Sequence, residues 1–467
     1  MEAQVKHPPF GMKDKLGYMF GDLGNDMTFI FQSMFLMLFY TEVLGIPGAS
    51  VGTLFLVSRI VDAFTDIGMG RIVDVSPGTE EGKFKPWIRR MAIPVTLASF
   101  LMYQSGLQHA SMNVKMIYMY VTYLLWGSIF YTAINIPYGS MASAISNDPD
   151  DRTELSTWRT IGATTAQIII GPLVPFFVYT TIEGQQVVKK DGTFTMVAAV
   201  FSVLGVIFYY FCHKLTTERV KIEHVEGEEV PSLAETFKGI FSSRSLAGII
   251  FTALFMILSQ LMMGAMNNYV LPYVYNTSEA LSTLNFINPF IILFLSVPIA
   301  GPLSRKFGKR ELGIGAMALG ACAYFYLYFV KTESYIVYMI GTAIAYFSIG
   351  LFNAVIWAAI IDVIDDIEVK TGERDDGTVY GLYSFSRKVG QAIAGAAGGW
   401  ALTWVGYQSG ATHQTPEVLD GIYNTATLVP AVAFTLAALA LLFVYPLSKA
   451  TVDENSRILA ERRGETV

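Results

Sequence analysis

Apolar residues run along this chain in twelve long blocks, and the turns between them collect the charged residues, glycines and prolines. The blocks fall near 18–44, 49–74, 88–108, 116–142, 157–180, 193–213, 246–275, 281–303, 312–330, 335–361, 379–407 and 421–446. An α-helix needs about 20 predominantly apolar residues to cross the hydrocarbon core of a bilayer. The pattern therefore predicts an all-α membrane protein with twelve transmembrane helices, punctuated by turn signals such as Gly45 to Gly48 and Asn276 to Glu279.

Composition supports this reading. Of the 467 residues 53% are hydrophobic and only 15% charged, against about 25% charged in soluble domains. The net charge of −6 is dispersed and offers no basic stripe for nucleic acid. The two cysteines, Cys212 and Cys322, sit in apolar surroundings, which argues against a disulfide framework or a thiolate metal cluster. The polar start, MEAQVKHPPFGMKDKLGY, does not read as a cleavable signal peptide.

Lysine and arginine set the expected orientation. With the N-terminus placed inside, the inner loops hold sixteen of them, among them Lys83, Lys85, Arg89, Arg90, Arg152, Arg219, Lys221, Lys238, Lys309, Arg310 and Arg374. The outer loops hold only Lys115, Lys189, Lys190 and Lys331. This asymmetry predicts an inner-membrane protein with both termini cytoplasmic.

The chain also repeats itself. Gly70-Arg71 and Gly82 to Lys85 follow the second block; Gly301 to Lys309 follow the eighth. Asp150 to Arg152 lead into Arg159 after the fourth block, and Glu373 to Asp376 lead into Lys388 after the tenth. Two six-helix bundles are expected, over 1–213 and 246–448, with a cytoplasmic linker at 214–245 and a cytoplasmic tail at 449–467. That parallel repeat resembles the plan of the major facilitator superfamily, in which a central site is served by two rocking halves.

The intramembrane charges carry the chemistry. Arg59, Asp62 and Asp66 share one stripe of the second helix, since residues three and four apart are neighbours on a helix. A charge at the centre of a membrane helix costs roughly 2.5–3.5 kcal/mol, so such groups have partners or a watery cavity. One reading is a self-neutralised ion cluster; the other is a pair of carboxylates for Na⁺, Li⁺ or a proton, since hard cations take oxygen ligands. Mutual repulsion would raise the carboxylates' pKa, so the residues leave Na⁺ and H⁺ open.

On the first helix, Asp22 reads as a capping group or the partner of a loop lysine, whereas Asp26, beside Asn25 and one turn deeper, is placed to accept hydrogen bonds from sugar hydroxyls. The fourth helix has no charge but a polar stripe of Thr132, Asn135 and Tyr138, readable as interhelical bonding. Arg159 opens the fifth helix, and Lys388 sits in an eleventh helix made thin by Gly390, Gly395, Gly398 and Gly399. Snorkelling to the interface is the plain alternative for Lys388.

Three ordered runs then carry a resemblance over nearly the whole chain: DAFTDIGMGRIVD with GKFKPW, NIPYGSMASAISNDPDDRTELSTWR, and VIDDIEVKTGERDDGTVYGLYSFSRKVG. Together they resemble the melibiose-permease-like glycoside-pentoside-hexuronide:cation symporters. The resemblance implies uptake of a small glycoside with a monovalent cation. By motif, Asp62 and Asp66 correspond to the cation-binding carboxylates, with Thr132 as a further oxygen. Asp26 and Arg159 correspond to sugar-contacting positions, joined by Asn25 and Asn135; Lys388 links both sites, and Arg59 belongs to the charge network. The galactoside branch has Lys-Asp at Asn25-Asp26, Asp at Asn135 and Trp at Gly139; losing an acid and an aromatic platform points away from an α-galactoside. Export or import of a lysolipid or drug on the same fold is the alternative. No metal spacing or clustered nucleophile and base suggests an enzyme, and neither a cofactor nor an obligate protein partner is expected.

Overall fold

The computed structural model describes residues 8–220, 243–372, 374 and 376–463. Most of the expected linker, including Lys221 and Lys238, lies outside the described residues. Twelve long helices follow in order: α1 (Met12–Leu38), α2 (Gly48–Val75), α3 (Lys85–Met102), α4 (Met112–Ile145), α5 (Pro149–Val178), α6 (Thr193–Leu215), α7 (Arg244–Val274), α8 (Ser278–Phe307), α9 (Lys309–Val330), α10 (Tyr335–Thr371), α11 (Asp376–Trp404) and α12 (Pro416–Val444). Among the described residues, nine of these are long and apolar enough to cross a membrane by length and composition alone. The others are α1, α3 and α11. Helix α1 carries Lys13, Asp14, Lys15, Asp22 and Asp26, α3 starts with Lys85, Arg89 and Arg90 over only 18 residues, and α11 carries Asp376, Arg387 and Lys388. Their charges make these three more polar, and two of them, α1 and α11, carry candidate site residues.

The chain forms two compact units, one of residues 1–227 with 408–412 and one of 228–407 with 413–467. In the first unit, α1 packs along both α5 and α6. Gly162 makes the α1–α5 approach possible: a Cβ there would lie 2.7 Å from the Met19 carbonyl oxygen and 3.3 Å from the Asp22 Cβ. Further along α1 a ring cluster ties it to the end of α3 and to α6: Tyr103, just past α3, stacks on Phe31 at 4.3 Å, and Phe201 meets Phe31 edge-on at 5.1 Å. In the second unit, α7, α9, α10 and α12 surround a core that includes Met317, Ile349, Phe352, Ile360 and Phe434.

Several helices extend past their apolar blocks. Helix α5 starts at Pro149, eight residues before its block, because Asp148 caps it through the Asp150 amide, proline suits the first turn and Asp150 and Asp151 face the positive helix end. Helix α10 continues ten residues beyond 361 and stops at Gly372, whose φ of 80° forms a left-handed C-cap. Two elements lack an apolar signature altogether. A two-stranded hairpin, β1 (Tyr179–Ile182) and β2 (Gln185–Val188), turns at Glu183 and Gly184, both at positive φ. The tail forms a helix, α13 (Lys449–Arg463), that buries Asn455 and Leu459.

Candidate functional site

Helix α4 is not uniform. Residues Leu125–Tyr131 form a π-helical turn inside it, a distortion often found at functional sites. The π turn brings Ser128 to α2: its Oγ donates to Asp62 Oδ1 at 2.5 Å. One turn later Thr132 Oγ1 donates to Asp66 Oδ1 at 3.0 Å, with the Gly127 carbonyl, at 3.2 Å, as a second acceptor. Two carboxylates four residues apart on α2 thus meet two hydroxyls four residues apart on α4. Arg59 lies on the far side of Asp62, Nη1 to Oδ2 at 3.4 Å. Asp62 and Asp66 are both half-buried.

The result is an oxygen-rich cluster of two carboxylates, two hydroxyls and a backbone carbonyl, the donor set of a hard monovalent cation. A hydroxyl that donates to a carboxylate keeps two lone pairs, so Ser128 and Thr132 can bond the carboxylates and face a cation at once. Ser128 carried no weight in the sequence reading. Its signal was the spacing: Ser128 and Thr132 repeat the interval of Asp62 and Asp66, 66 positions on in both cases.

The α1 carboxylates divide. Asp22 is buried and accepts from Arg159 Nε at 2.9 Å, so its partner is the α5 arginine and not a loop lysine. The Arg159 guanidinium carbon also lies 5.5 Å from the Tyr138 ring centroid, and Tyr138 donates its hydroxyl to the Tyr18 carbonyl at 2.7 Å. Asp26 differs from Asp22: it is half-buried and makes no hydrogen bond or ion pair among the described residues. Asn135 on α4 is likewise half-buried and without such a bond among them.

The two lie at one level of the bundle. Helices α1 and α4 touch at Tyr18–Tyr138, with centroids 4.7 Å apart, and again at Phe29–Tyr131, at 5.5 Å. Numbering rises along α1 as it falls along α4, so Asp26 and Asn135 occupy the interval between those contacts. Asn25 is drawn the other way, buried with its Oδ1 accepting from Tyr209 at 2.7 Å, while its Nδ2 has no partner among the described residues. The first unit therefore brings together Arg59, Asp62, Asp66 and Thr132 in one cluster and Asp22, Arg159 and Tyr138 in another, with Asp26 and Asn135 near the second. Lys388 stands on α11 of the second unit, exposed there.

Residues 17–449 match the family described as MFS/sugar transport protein. The chain is 32% identical over 443 residues to the uncharacterized symporter YjmB of Bacillus subtilis (strain 168), covering 94% of this chain and 93% of that one. It is 31% identical over 433 residues to the glucuronide carrier protein homolog of Escherichia coli (strain K12), covering 93% and 92%. Among solved structures it is similar to a bacterial homolog of the human lysosomal transporter Spinster, with a TM-score of 0.66 at 12% identity over 96% of this chain and 99% of that one.

Proposed function

The chain belongs to the MFS/sugar transport protein family, and from that premise we propose that it is a cation-coupled symporter taking a glycoside, pentoside or hexuronide into the cell by alternating access. The observation that carries the coupling is the matched pairing of Asp62 with Ser128 and Asp66 with Thr132. Na⁺, Li⁺ or a proton binds at the two carboxylates, one of whose charges Arg59 offsets, and for a metal cation the hydroxyls are additional oxygens. The sugar binds near Asp26 and Asn135, whose hydrogen-bonding capacity is open toward a ligand, with Asn25 and Arg159 flanking them. We assign Lys388, on α11, to the coupling of cation and sugar binding. The names of two relatives, a symporter and a glucuronide carrier homolog, agree with this reading. We place the protein in the inner membrane with both termini cytoplasmic, on the lysine and arginine asymmetry.

Coupling in this scheme is reciprocal: the cation improves sugar affinity by the factor by which the sugar improves cation affinity. The test is uptake of a labelled glycoside panel into right-side-out vesicles, with Na⁺, Li⁺ and H⁺ gradients imposed in turn. Accumulation of one sugar driven by one gradient is the expected result. Inserted, folded protein that accumulates no sugar under any gradient, but transports a lysolipid, would overturn it.

A further inference from the structure

The second unit holds a charged group to which the reading above assigns no role. On α11 the guanidinium carbon of Arg387 lies 5.7 Å from the Trp357 ring centroid and 5.8 Å from that of Tyr383. Trp357, from α10, meets Tyr383 edge-on at 5.4 Å and 81°, and stacks with Tyr380 at 6.1 Å and 22°. Arg387 therefore sits in a corner made by two nearly perpendicular rings, with a third ring bracing the corner from behind. It stands eleven residues into α11, which begins at Asp376, and so about 16 Å along the helix axis. That places it three turns inside the helix.

An arginine at such depth is ordinarily neutralised by a carboxylate. Two arginines of the first unit follow that rule, Arg159 with Asp22 and Arg59 with Asp62. Arg387 does not: among the described residues it makes no ion pair, and the aromatic corner is what holds it. Stacking on ring faces attracts the cation without cancelling its charge. It also leaves the in-plane N–H fork of the guanidinium for an oxyanion, the geometry that matches a carboxylate or sulfonate with two parallel bonds. The approach is partly open, since Trp357 is 46% exposed and Arg387 only half-buried. The adjacent Lys388 and Ser384, one turn back, are exposed on the same helix and add a positive charge and a hydroxyl.

Resting on the symport reading, we propose that Arg387, held by Trp357, Tyr380 and Tyr383, is the specificity-determining group for an anionic substrate: a sugar bearing one carboxylate or one sulfonate. The guanidinium binds the oxyanion, and the rings fix the guanidinium so that little rotamer freedom is lost on binding.

The test is equilibrium binding to the purified full-length protein, by tryptophan emission and by competition, of methyl β-glucuronide, a sugar sulfonate and neutral methyl β-glucoside. The wild type should bind at least one anion ten-fold or more tightly than the neutral sugar, and whichever anion binds tighter names the oxyanion. R387Q should bring that ratio to about one, and R387K should keep part of it, because charge remains but the planar fork does not. W357F should remove the part of the emission change that the anion causes. Size-exclusion profiles of R387Q and R387K confirm that both fold. A wild-type ratio near one, or a ten-fold preference surviving in R387Q, overturns the proposal and leaves sugar symport standing. Absence of binding by every sugar, charged or neutral, overturns both.

Discussion

Asp62 and Asp66 look equivalent in sequence, yet different groups compete for them. Asp62 is shared by Arg59 and Ser128, whereas Asp66 has Thr132, which has the Gly127 carbonyl as an alternative acceptor. On the coupling proposed above, Asp66→Asn should reduce gradient-driven accumulation to simple equilibration, as measured by vesicle uptake; a variant that still concentrates sugar would remove Asp66 from the site. Ser128→Ala deletes one hydrogen bond to a charged group, about 1.5–3 kcal/mol. At about 1.4 kcal/mol per decade, it should raise the cation concentration for half-maximal uptake roughly ten-fold or more. Asp22 and Arg159 predict a different pattern. Removing either partner strands a charge, so Asp22→Asn and Arg159→Gln should each lower the melting temperature of purified protein, and the double variant by less than their sum. Strict additivity would mean that the pair is not coupled. Ser128 was missed because a stripe drawn at a spacing of three passes from Thr132 to Asn135 without it, whereas counting by four from Thr132 reaches it.

The ends of helices show what apolar blocks cannot report. Glu218, just past α6, accepts from the amides of Lys83, Phe84 and Lys85 at 2.7, 2.9 and 2.7 Å, so one carboxylate closes the start of α3. Burial pushes its carboxyl above the usual range, against the pull of those amides. Gly82, at φ +117°, leaves the space in which that carboxylate sits. Glu218→Ala would orphan three amides and should cost about 1–3 kcal/mol, seen as a lower melting temperature, with Glu218→Gln milder because its amide oxygen still accepts; equal losses would argue against the amide contacts. In the second unit α13 plays a comparable part. Lys449 Nζ donates to the Arg305 carbonyl at 2.9 Å, Arg462 Nη2 to the Val369 carbonyl at 3.0 Å, and Asn455 Nδ2 to Asp366 at 3.4 Å. One helix thereby satisfies carbonyls at the ends of both α8 and α10. Deleting residues 449–467 should lower the melting temperature and speed proteolysis at those two ends. The twelve spans were legible because burial in lipid requires long apolar runs. Helix α13, the last ten residues of α10 and the 179–188 hairpin were not, because caps, ion pairs and turn chemistry hold them with little apolar surface.

At the scale of the whole molecule the question is how much charge one transport cycle moves. Moving one elementary charge through 100 mV is worth about 2.3 kcal/mol, equivalent to roughly fifty-fold accumulation at about 1.4 kcal/mol per decade. The candidate cation cluster lies within the first unit and Arg387 with its aromatic corner within the second. If one monovalent cation enters with one neutral glycoside, each cycle carries one positive charge and a potential alone drives accumulation. If the sugar is the monoanion that Arg387 selects, the same one-to-one cycle carries no net charge. Accumulation then follows the cation gradient and is blind to the potential. A potassium diffusion potential of about 100 mV, interior negative and with no gradient of the coupling cation, should therefore concentrate a neutral glycoside up to about fifty-fold but leave a hexuronide or sugar sulfonate near equilibrium. An imposed cation gradient should concentrate the anion in proportion to that gradient. Potential-driven accumulation of the anion would require a second cation per cycle and would count against the single-cation site.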